Sequence, residues 1–552
     1  MQYIFKIIRL SEVPAWHIIV LLVMAVISSL LSVIPIQFFG YTLDALSGRE
    51  GLGVVSKLVS LMGFDNMAVA GIVLFFVFSV IAILFRILFC YLAEIFCENV
   101  INRIRVNLFA KCMRVDFVRQ MQTDKGDTIY TLINSTRQLE NIFSRPLYTM
   151  FSDIFDLIWI TAFILYTAPA VMLILVCVLP FIWFFSLRTA KKQKLAADNV
   201  QISDSKLTSI LEQSLSGYET IKAFRGESYE NRLFGTTADD SFCHRLSAAK
   251  SLSMFFPVEG SLRVFGVSSA LIYTVYKVVA GAMPLGMVSI VFDYSNKFYA
   301  PVRNISQYYQ SIQRGLVSAK RITEYFELPE EADNNNFIDT TGDCVVAENI
   351  SLSLNGTVIF ENLSFNCKRG DLIHLKGISG SGKSSLLRVL LGFYPLRGGK
   401  LTVFGRDINE YPKKQLRNIF AYAPQTAFLH NVCLAENVAY PDGDVDCADI
   451  ICRLNLDGLD ALTSAGENGN RFSGGERSRV GFARAVAKNA DIIILDEVTA
   501  SLDSENTAVV HEIISELKQQ GKIIFYVSHD ERVLSANETV FINCMSIKNK
   551  SE

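Results

Sequence analysis

Charge is scarce in this chain. Of its 552 residues, 19% are Asp, Glu, Lys or Arg, while 51% are hydrophobic. Acids and bases almost cancel, leaving a net charge of −2. A nucleic-acid partner needs an excess of Lys and Arg to neutralise phosphates, so none is expected. The 11 cysteines include no Cys-x-x-Cys pair. Metal-ligand spacing is therefore missing, and reduced structural thiols are expected. Low-complexity segments and long internal repeats are also missing. The chain is too long for one core and implies several modules. Lys6 and Arg9 precede the first apolar run, but that run is long and no small-residue cleavage site ends it. A spanning helix is expected there, not a cleaved signal peptide.

The hydrophobic residues are concentrated in runs. Six have roughly the ~20-residue length that crosses a bilayer as a helix: Trp16–Phe39, Met67–Phe89, Leu147–Tyr166, Val171–Leu187, Phe255–Ala280 and Leu285–Val302. The links Thr167–Ala170 and Gly281–Pro284 are short and uncharged. The links after the second and fourth runs are long, helical and basic, with Arg103, Arg105, Lys111, Arg114 and Arg119, then Arg188, Lys191, Lys192 and Lys194. The excess of Lys and Arg on cytoplasmic loops places both links, both termini and the C-terminal part in the cytoplasm. Ionisable groups interrupt the runs. Glu259 and Arg263, and again Asp293 and Lys297, are four residues apart and are expected to pair on one helix face. Asp153, Asp156 and Arg86 complete the set. Such groups face a protein or aqueous interior, and Glu259 and Arg263 are the preferred candidates for a polar path. The alternative is that the helices extend past the bilayer and carry these charges with them.

The acidic, Asn-rich stretch Pro329–Asp343 marks a linker, after which short β-branched runs alternate with helical segments. The expected layout is a six-helix membrane bundle over 1–328, a linker over 329–343 and an α/β module with a largely parallel sheet over 344–552. Within that module Gly377-Ile378-Ser379-Gly380-Ser381-Gly382-Lys383-Ser384 fits the phosphate-loop pattern, and Ser385 continues into a helix. Glycines let backbone N–H groups curl around phosphate oxygens, and the helix start adds a positive dipole end. Lys383 is expected to reach the outer phosphates and Ser384 to hold Mg²⁺. Downstream, Ile492–Leu495 is an apolar strand ending in Asp496 and Glu497. Asp496 is expected to order Mg²⁺ and its waters, and Glu497 to act as general base on the attacking water.

Between these motifs lies Arg471-Phe472-Ser473-Gly474-Gly475-Glu476. With Ser473-Gly474-Gly475 opening a helix some twenty residues before Asp496, the chain resembles the ATP-binding cassette (ABC) exporter family. The resemblance implies further roles. Gln425 matches the glutamine that senses Mg²⁺ and the γ-phosphate. Asp503 in Ala500-Ser501-Leu502-Asp503 matches an interface aspartate, and His529 a switch histidine. Gly466-Glu467-Asn468-Gly469 matches a short acidic loop near the coupling helices. Phe109–Asp127 and Glu212–Glu227 resemble the two intracellular loops, Gly281–Gly286 the turn before the sixth helix, and Tyr299–Val302 that helix's cytoplasmic half. One position departs. Leu354 stands where an adenine-stacking aromatic is usual, and Phe360 is a possible substitute.

The resemblance implies a fused half-transporter, with six helices and one cassette, in an inner membrane. It would work as a homodimer or with a paralogous half. ATP hydrolysis would drive export of a small amphipathic compound, lipid or peptide. An importer built on the same fold, for a siderophore-like cargo, and an ATP-gated channel or regulator are the alternatives. No peptidase module is expected before the first helix.

Overall fold

A computed structural model describes the chain except residues 1, 15, 49–65, 124, 332–341, 355, 379, 442–444, 457–463, 467–468, 529–537 and 542–552. The chain forms two compact units. One comprises Met1–Met113 with Lys125–Glu327, the other Arg114–Asp124 with Leu328–Glu552.

The principal helices up to Phe326, leaving aside the short helical turns between Lys125 and Phe143, are α1 (Gln2–Leu10), α2 (Trp16–Leu46), α3 (Met67–Cys112), α4 (Phe117–Gln122, in the second unit), α5 (Arg145–Thr167), α6 (Pro169–Ser216), α7 (Tyr218–Ala223), α8 (Glu227–Val279) and α9 (Met287–Phe326). Six of these are long, one for each expected apolar run. The segments Trp16–Leu46, Met67–Cys112, Lys125–Thr167 and Pro257–Val279 are long and apolar enough to cross a membrane. The apolar part of α6 is the shorter Pro169–Phe185. At ~1.5 Å per residue, the 53 residues of α8 reach about 80 Å, well beyond a ~30 Å hydrocarbon core. Outside the apolar span, α6 and α8 are tied together by Arg245, whose Nη2 donates to both Asp204 oxygens at 2.9 Å.

Helix α9, which carries the sixth expected run, is the least apolar of the long helices and is not among the described segments apolar enough to cross by composition; several of its polar side chains turn to protein. Tyr294 is fully buried; its hydroxyl donates to the Val33 carbonyl at 3.0 Å and accepts from Gln37 Nε2 at 2.9 Å. Lys297 pairs with Asp293 at 2.8 Å, as the spacing predicts, and also donates to the Ser32 carbonyl. Asp156 accepts from Ser29 and Ser32, and Asp153 from Asn304 and Tyr308. Ionised groups in an apolar surround are tolerated when donors and counter-charges meet them internally. The other expected pair does not form. Arg263 Nη1 donates to Asn296 Oδ1 on α9 at 3.0 Å, and Glu259 Oε1 has no hydrogen-bond partner. The i,i+4 spacing allows the pair, but the amide across the helix interface captures the guanidinium.

The start of α9 is fixed against α2 by close backbone approach. Buried Asp44 accepts from the Gly286 N–H at 2.6 Å, placing a carboxylate at the positive end of α9. A Cβ on Gly286 would lie 2.1 Å from the Gly40 carbonyl oxygen.

The second unit contains two sheets. The antiparallel one, in order β2-β1-β4-β5, uses β1 (Cys344–Leu354), β2 (Thr357–Lys368), β4 (Gly398–Val403) and β5 (Arg406–Asp407). The sequence patterns did not reveal it as a separate sheet. The parallel one runs β6-β7-β8-β3-β9, with β3 (Leu372–Lys376), β6 (Phe420–Ala423), β7 (Ile492–Asp496), β8 (Ile523–Val527) and β9 (Glu538–Phe541). Both faces of its central strands are covered, so Ile492–Leu495 of β7 and Ile523–Val527 of β8 are apolar and buried throughout. Successive residues go to opposite cores. Ile493, Leu495, Ile524 and Tyr526 pack with α11 (Gly474–Ala487) and α12 (Ser504–Gln519). Ile492, Ile494, Ile523 and Phe525 pack with α10 (Lys383–Leu390) and the antiparallel sheet. The Arg114–Asp124 segment joins this unit through α4. Asp116 caps that helix, and Phe117 stacks on Phe393 with centroids 4.4 Å apart. Arg417 lies over the ring of Phe393 and pairs with Glu331 at 2.7 Å.

Gly286→Ala is expected to lower the thermal midpoint in detergent, because backbone sits where the methyl would go. Gly260→Ala, in α8 with nothing within 4 Å of its Cβ, should instead gain the ~0.5–1 kcal/mol of helix propensity. Equal midpoints for the two variants would contradict the close approach.

Candidate nucleotide site

The site grows from the C-terminal ends of β3 and β7, where open α/β sheets bind ligands. After β3 the chain turns through Gly377, Ile378, Gly380 and Ser381 into α10. Gly380 and Gly382 have φ of +79° and +96°. Gly382 caps α10, and a Cβ there would come 2.7 Å from the Ile359 side chain. Lys383 is buried and donates to the Gly377 and Ile378 carbonyls at 2.8 and 3.1 Å. Ser381 is fully buried, and its hydroxyl has no hydrogen-bond partner. Ser384 is exposed at the start of α10, and Ser385 follows it half-buried.

At the end of β7, Asp496 is buried, with the Ser384 and Tyr422 hydroxyls beside it favouring its ionised form. Burial pushes its carboxyl above the usual carboxylate range, and the neighbouring Glu497 adds to the rise. Burial also pushes the Tyr422 hydroxyl up to about 12. Glu497 adopts the left-handed backbone at φ +52°, which a non-glycine residue enters only under constraint. Its N–H donates to the Val527 carbonyl at 3.0 Å. Gln425, exposed after β6, donates from Nε2 to Glu497 Oε2 at 2.6 Å.

The segment Arg471–Glu476 is organised separately. Ser473 caps α11 reciprocally with Glu476: Ser473 Oγ accepts from the Glu476 N–H at 3.2 Å, and Glu476 Oε2 accepts from the Ser473 N–H at 2.7 Å. Ser478 and Ser501 share a hydrogen bond of 2.9 Å, and Asp503 caps α12 by accepting from the Asn506 N–H. Gly475 must be glycine, since a Cβ would lie 2.9 Å from the Ser501 carbonyl. Gly474 faces open space. Among the described residues, no hydrogen bond joins Ser473, Gly474 or Gly475 to the phosphate loop.

The structure thus brings together Ser384 with Asp496, and Gln425 with Glu497. Ser379, His529, Glu467 and Asn468 lie outside the described residues. Tyr422 was not anticipated; its place on β6, three residues before Gln425, is the signal. His374 on β3 is also new. Its Nε2 donates to the Ser528 carbonyl at 3.2 Å, and burial pushes its pKa down. Phe360 is corrected as a stacking candidate, because it is 3% exposed inside the core beside β1.

The chain matches the ABC transporter transmembrane region over residues 18–302 and the ABC transporter domain over residues 360–500. It belongs to the ABC transporter family. The transmembrane and ATP-binding regions are fused in one chain, and the protein is a membrane transport ATPase. Among its relatives, an ATP-dependent lipid A-core flippase of Saccharophagus degradans is 26% identical over 526 residues, covering 92% of this chain and 87% of the relative. The flippase of the same description from Haemophilus ducreyi is 27% identical over 453 residues, 78% of this chain and 76% of the relative. A solved bacterial Atm1-family ABC exporter with ATP bound shares the fold, with a TM-score of 0.78 at 19% identity over 96% of this chain and 94% of that one.

ATP and Mg²⁺ fit the transporter's site on its own features. Two left-handed glycines shape a loop of N–H donors, a buried Ser381 hydroxyl lacks an acceptor, and the Ser384 hydroxyl meets the Asp496 carboxylate. The folded chain holds the Asp496 proton more tightly than the unfolded chain does. Its stabilising contribution is therefore present below the usual 3.8 and is lost as pH rises through the raised value. Asp496→Asn is accordingly expected to raise the nucleotide-free thermal midpoint at pH 7, to lose Mg²⁺-ATP-dependent stabilisation, and to cut hydrolysis by at least ~10²-fold. A lower nucleotide-free midpoint would refute the burial argument.

Proposed function

We propose that two copies of this chain, or this chain and a paralogous half, form the working transporter, with each nucleotide held between the phosphate loop of one cassette and Ser473–Gly475 of the other. One observation carries this reading. The phosphate loop, Asp496, Glu497 and Gln425 assemble within one chain, while the capped N-terminus of α11 offers its dipole end without a bond to that loop. Ser473 and Gly474 are exposed, so a second cassette can bring a phosphate to them.

Gly377, Ile378, Ser379, Gly380, Ser381, Gly382, Lys383, Ser384 and Ser385 bind the nucleotide phosphates, and Lys383 exchanges its loop carbonyls for phosphate oxygens. Mg²⁺, held by Ser384 and Gln425 with Asp496 acting through water, would supply neutralisation of phosphate charge. Glu497 accepts a proton from the attacking water. A bond forms from the water oxygen to the γ-phosphorus, the bond to the bridging oxygen breaks, and ADP leaves with the electron pair. His529 is assigned to the γ-phosphate. Gln425, bonded to the base before the reaction, couples nucleotide arrival to release of Glu497. The cassettes and both termini lie in the cytoplasm, the helices in an inner membrane. Closure of the cassettes is passed on through α4, seated by Phe117 on Phe393, and through α7. The cargo is exported, and a lipid or other small amphipathic molecule suits the relatives, which are described as flippases.

Glu497→Gln should bind ATP yet lose turnover by at least ~10²-fold, trapping an ATP-bound dimer visible by size-exclusion chromatography. Near wild-type hydrolysis would reject Glu497 as base. Leu354, partly buried against the core of the antiparallel sheet, gives no ring for adenine. Leu354→Tyr should lower the ATP concentration for half-maximal hydrolysis, by at most the roughly 1–3 kcal/mol of a base–aromatic stack. An unchanged value would mean that the base is held elsewhere.

A further inference from the structure

The helical unit contains a cavity of about 220 Å³ lined by Glu259, Arg263, Asn296, Lys297, Tyr299 and Ala300. Most of its polar groups are already engaged. Lys297 is paired with Asp293 and donates to the Ser32 carbonyl. Asn296 donates to the Phe292 carbonyl and accepts from Arg263. The Tyr299 hydroxyl donates to the Leu175 carbonyl at 3.0 Å. Two groups are left over. Glu259 is 5% exposed, and its Oε1 has no donor. Arg263 Nε has no acceptor.

A buried carboxylate oxygen without a donor is costly, and so is a buried guanidinium N–H without an acceptor. The two side chains are one helical turn apart on α8 and would relieve each other by pairing, yet Arg263 is held away by Asn296. The cavity therefore keeps one negative acceptor and one positive donor side by side. With Lys297 neutralised by Asp293, the charges of Glu259 and Arg263 sum to zero. A purely anionic guest would set its charge against Glu259, and a purely cationic one against Arg263. A guest carrying both charges close together satisfies both. At ~30 Å³ per water the space holds roughly seven waters, which suits a headgroup or a single residue and not an entire large cargo.

We propose that this cavity recognises a zwitterionic group of the cargo, its ammonium at Glu259 and its phosphate or carboxylate at Arg263. This deepens the export reading above and rests on it, since the guest is taken to be part of what crosses. The shared chemistry is an ammonium next to an acidic group, from either a lipid headgroup or a soluble amino acid or peptide.

The test is equilibrium binding of radiolabelled glycerophosphoethanolamine to the full chain in detergent, without nucleotide, in competition with glycylglycine, glycerophosphate and ethanolamine. Saturable binding is expected, displaced by glycylglycine and poorly by either half-charged compound. Glu259→Gln and Arg263→Gln should each weaken it by about tenfold or more, the size of a lost charge-assisted hydrogen bond. Glu259→Gln should also reverse the preference between glycerophosphoethanolamine and its N-acetyl analogue, a gain that a misfolded variant cannot show. Tighter binding of glycylglycine than of glycerophosphoethanolamine would assign the group to a soluble peptide. The opposite order, with hydrolysis faster in nanodiscs containing phosphatidylethanolamine than in phosphatidylglycerol alone, would assign it to a lipid. No saturable binding of either zwitterion, equal binding of glycerophosphate, or wild-type affinity and preference in Glu259→Gln would overturn the proposal. Because binding is read without ATP, a failure of the cassette reading would appear separately, as a wild-type protein that does not hydrolyse ATP.

Discussion

The second unit depends on one buried carboxylate. Asp496 ends a strand whose five residues are all buried, so the parallel sheet delivers a charge to a place with little water. Burial opposes ionisation there, and the neighbouring Ser384 and Tyr422 hydroxyls and the Arg388 charge offset part of that cost. Asp496 thus meets the phosphate loop at Ser384 and the strand before Gln425 at Tyr422, and Glu497 follows it in the chain. Burial still outweighs these neighbours, and a divalent cation with a nucleotide would supply further positive charge.

The helical unit solves a similar problem with another outcome. Asp44, Asp153, Asp156 and the Asp293–Lys297 pair are met by internal donors or counter-charges. Glu259 and Arg263 are met only in part. The contrast between satisfied charges along α2, α5 and α9 and unsatisfied ones at the cavity separates groups that hold the bundle from groups available to a guest.

Much of this was legible because periodicity and spacing encode it. The apolar runs located the six long helices. Gly377–Ser384 and the strand ending in Asp496-Glu497 fixed the phosphate loop and the acids beside it, since those contacts are set by strand order at one sheet end. What stayed hidden depended on partners distant in sequence. Glu259 and Arg263 have the spacing of a pair, but Asn296 lies 33 residues beyond Arg263 and no helical pattern announces it. Phe360 reads as an available aromatic until the register of β2 turns it inward. Phe117 sits between two membrane helices in sequence, yet it stacks in the cassette unit on Phe393, 276 residues later.

The central claim is that the nucleotide site is shared between two cassettes, and ATP-dependent disulfide trapping tests it most directly. Ile378 is 77% exposed on the phosphate loop, and Gly474 faces open space at the start of α11, so both accept cysteine in a chain otherwise freed of it. With both substitutions in each copy, the account predicts that oxidation in ATP yields a disulfide-linked pair of chains at twice the 61.7 kDa chain mass, and that oxidation without ATP yields far less. Cross-linking within single chains, or no ATP-dependent pair at all, would contradict it.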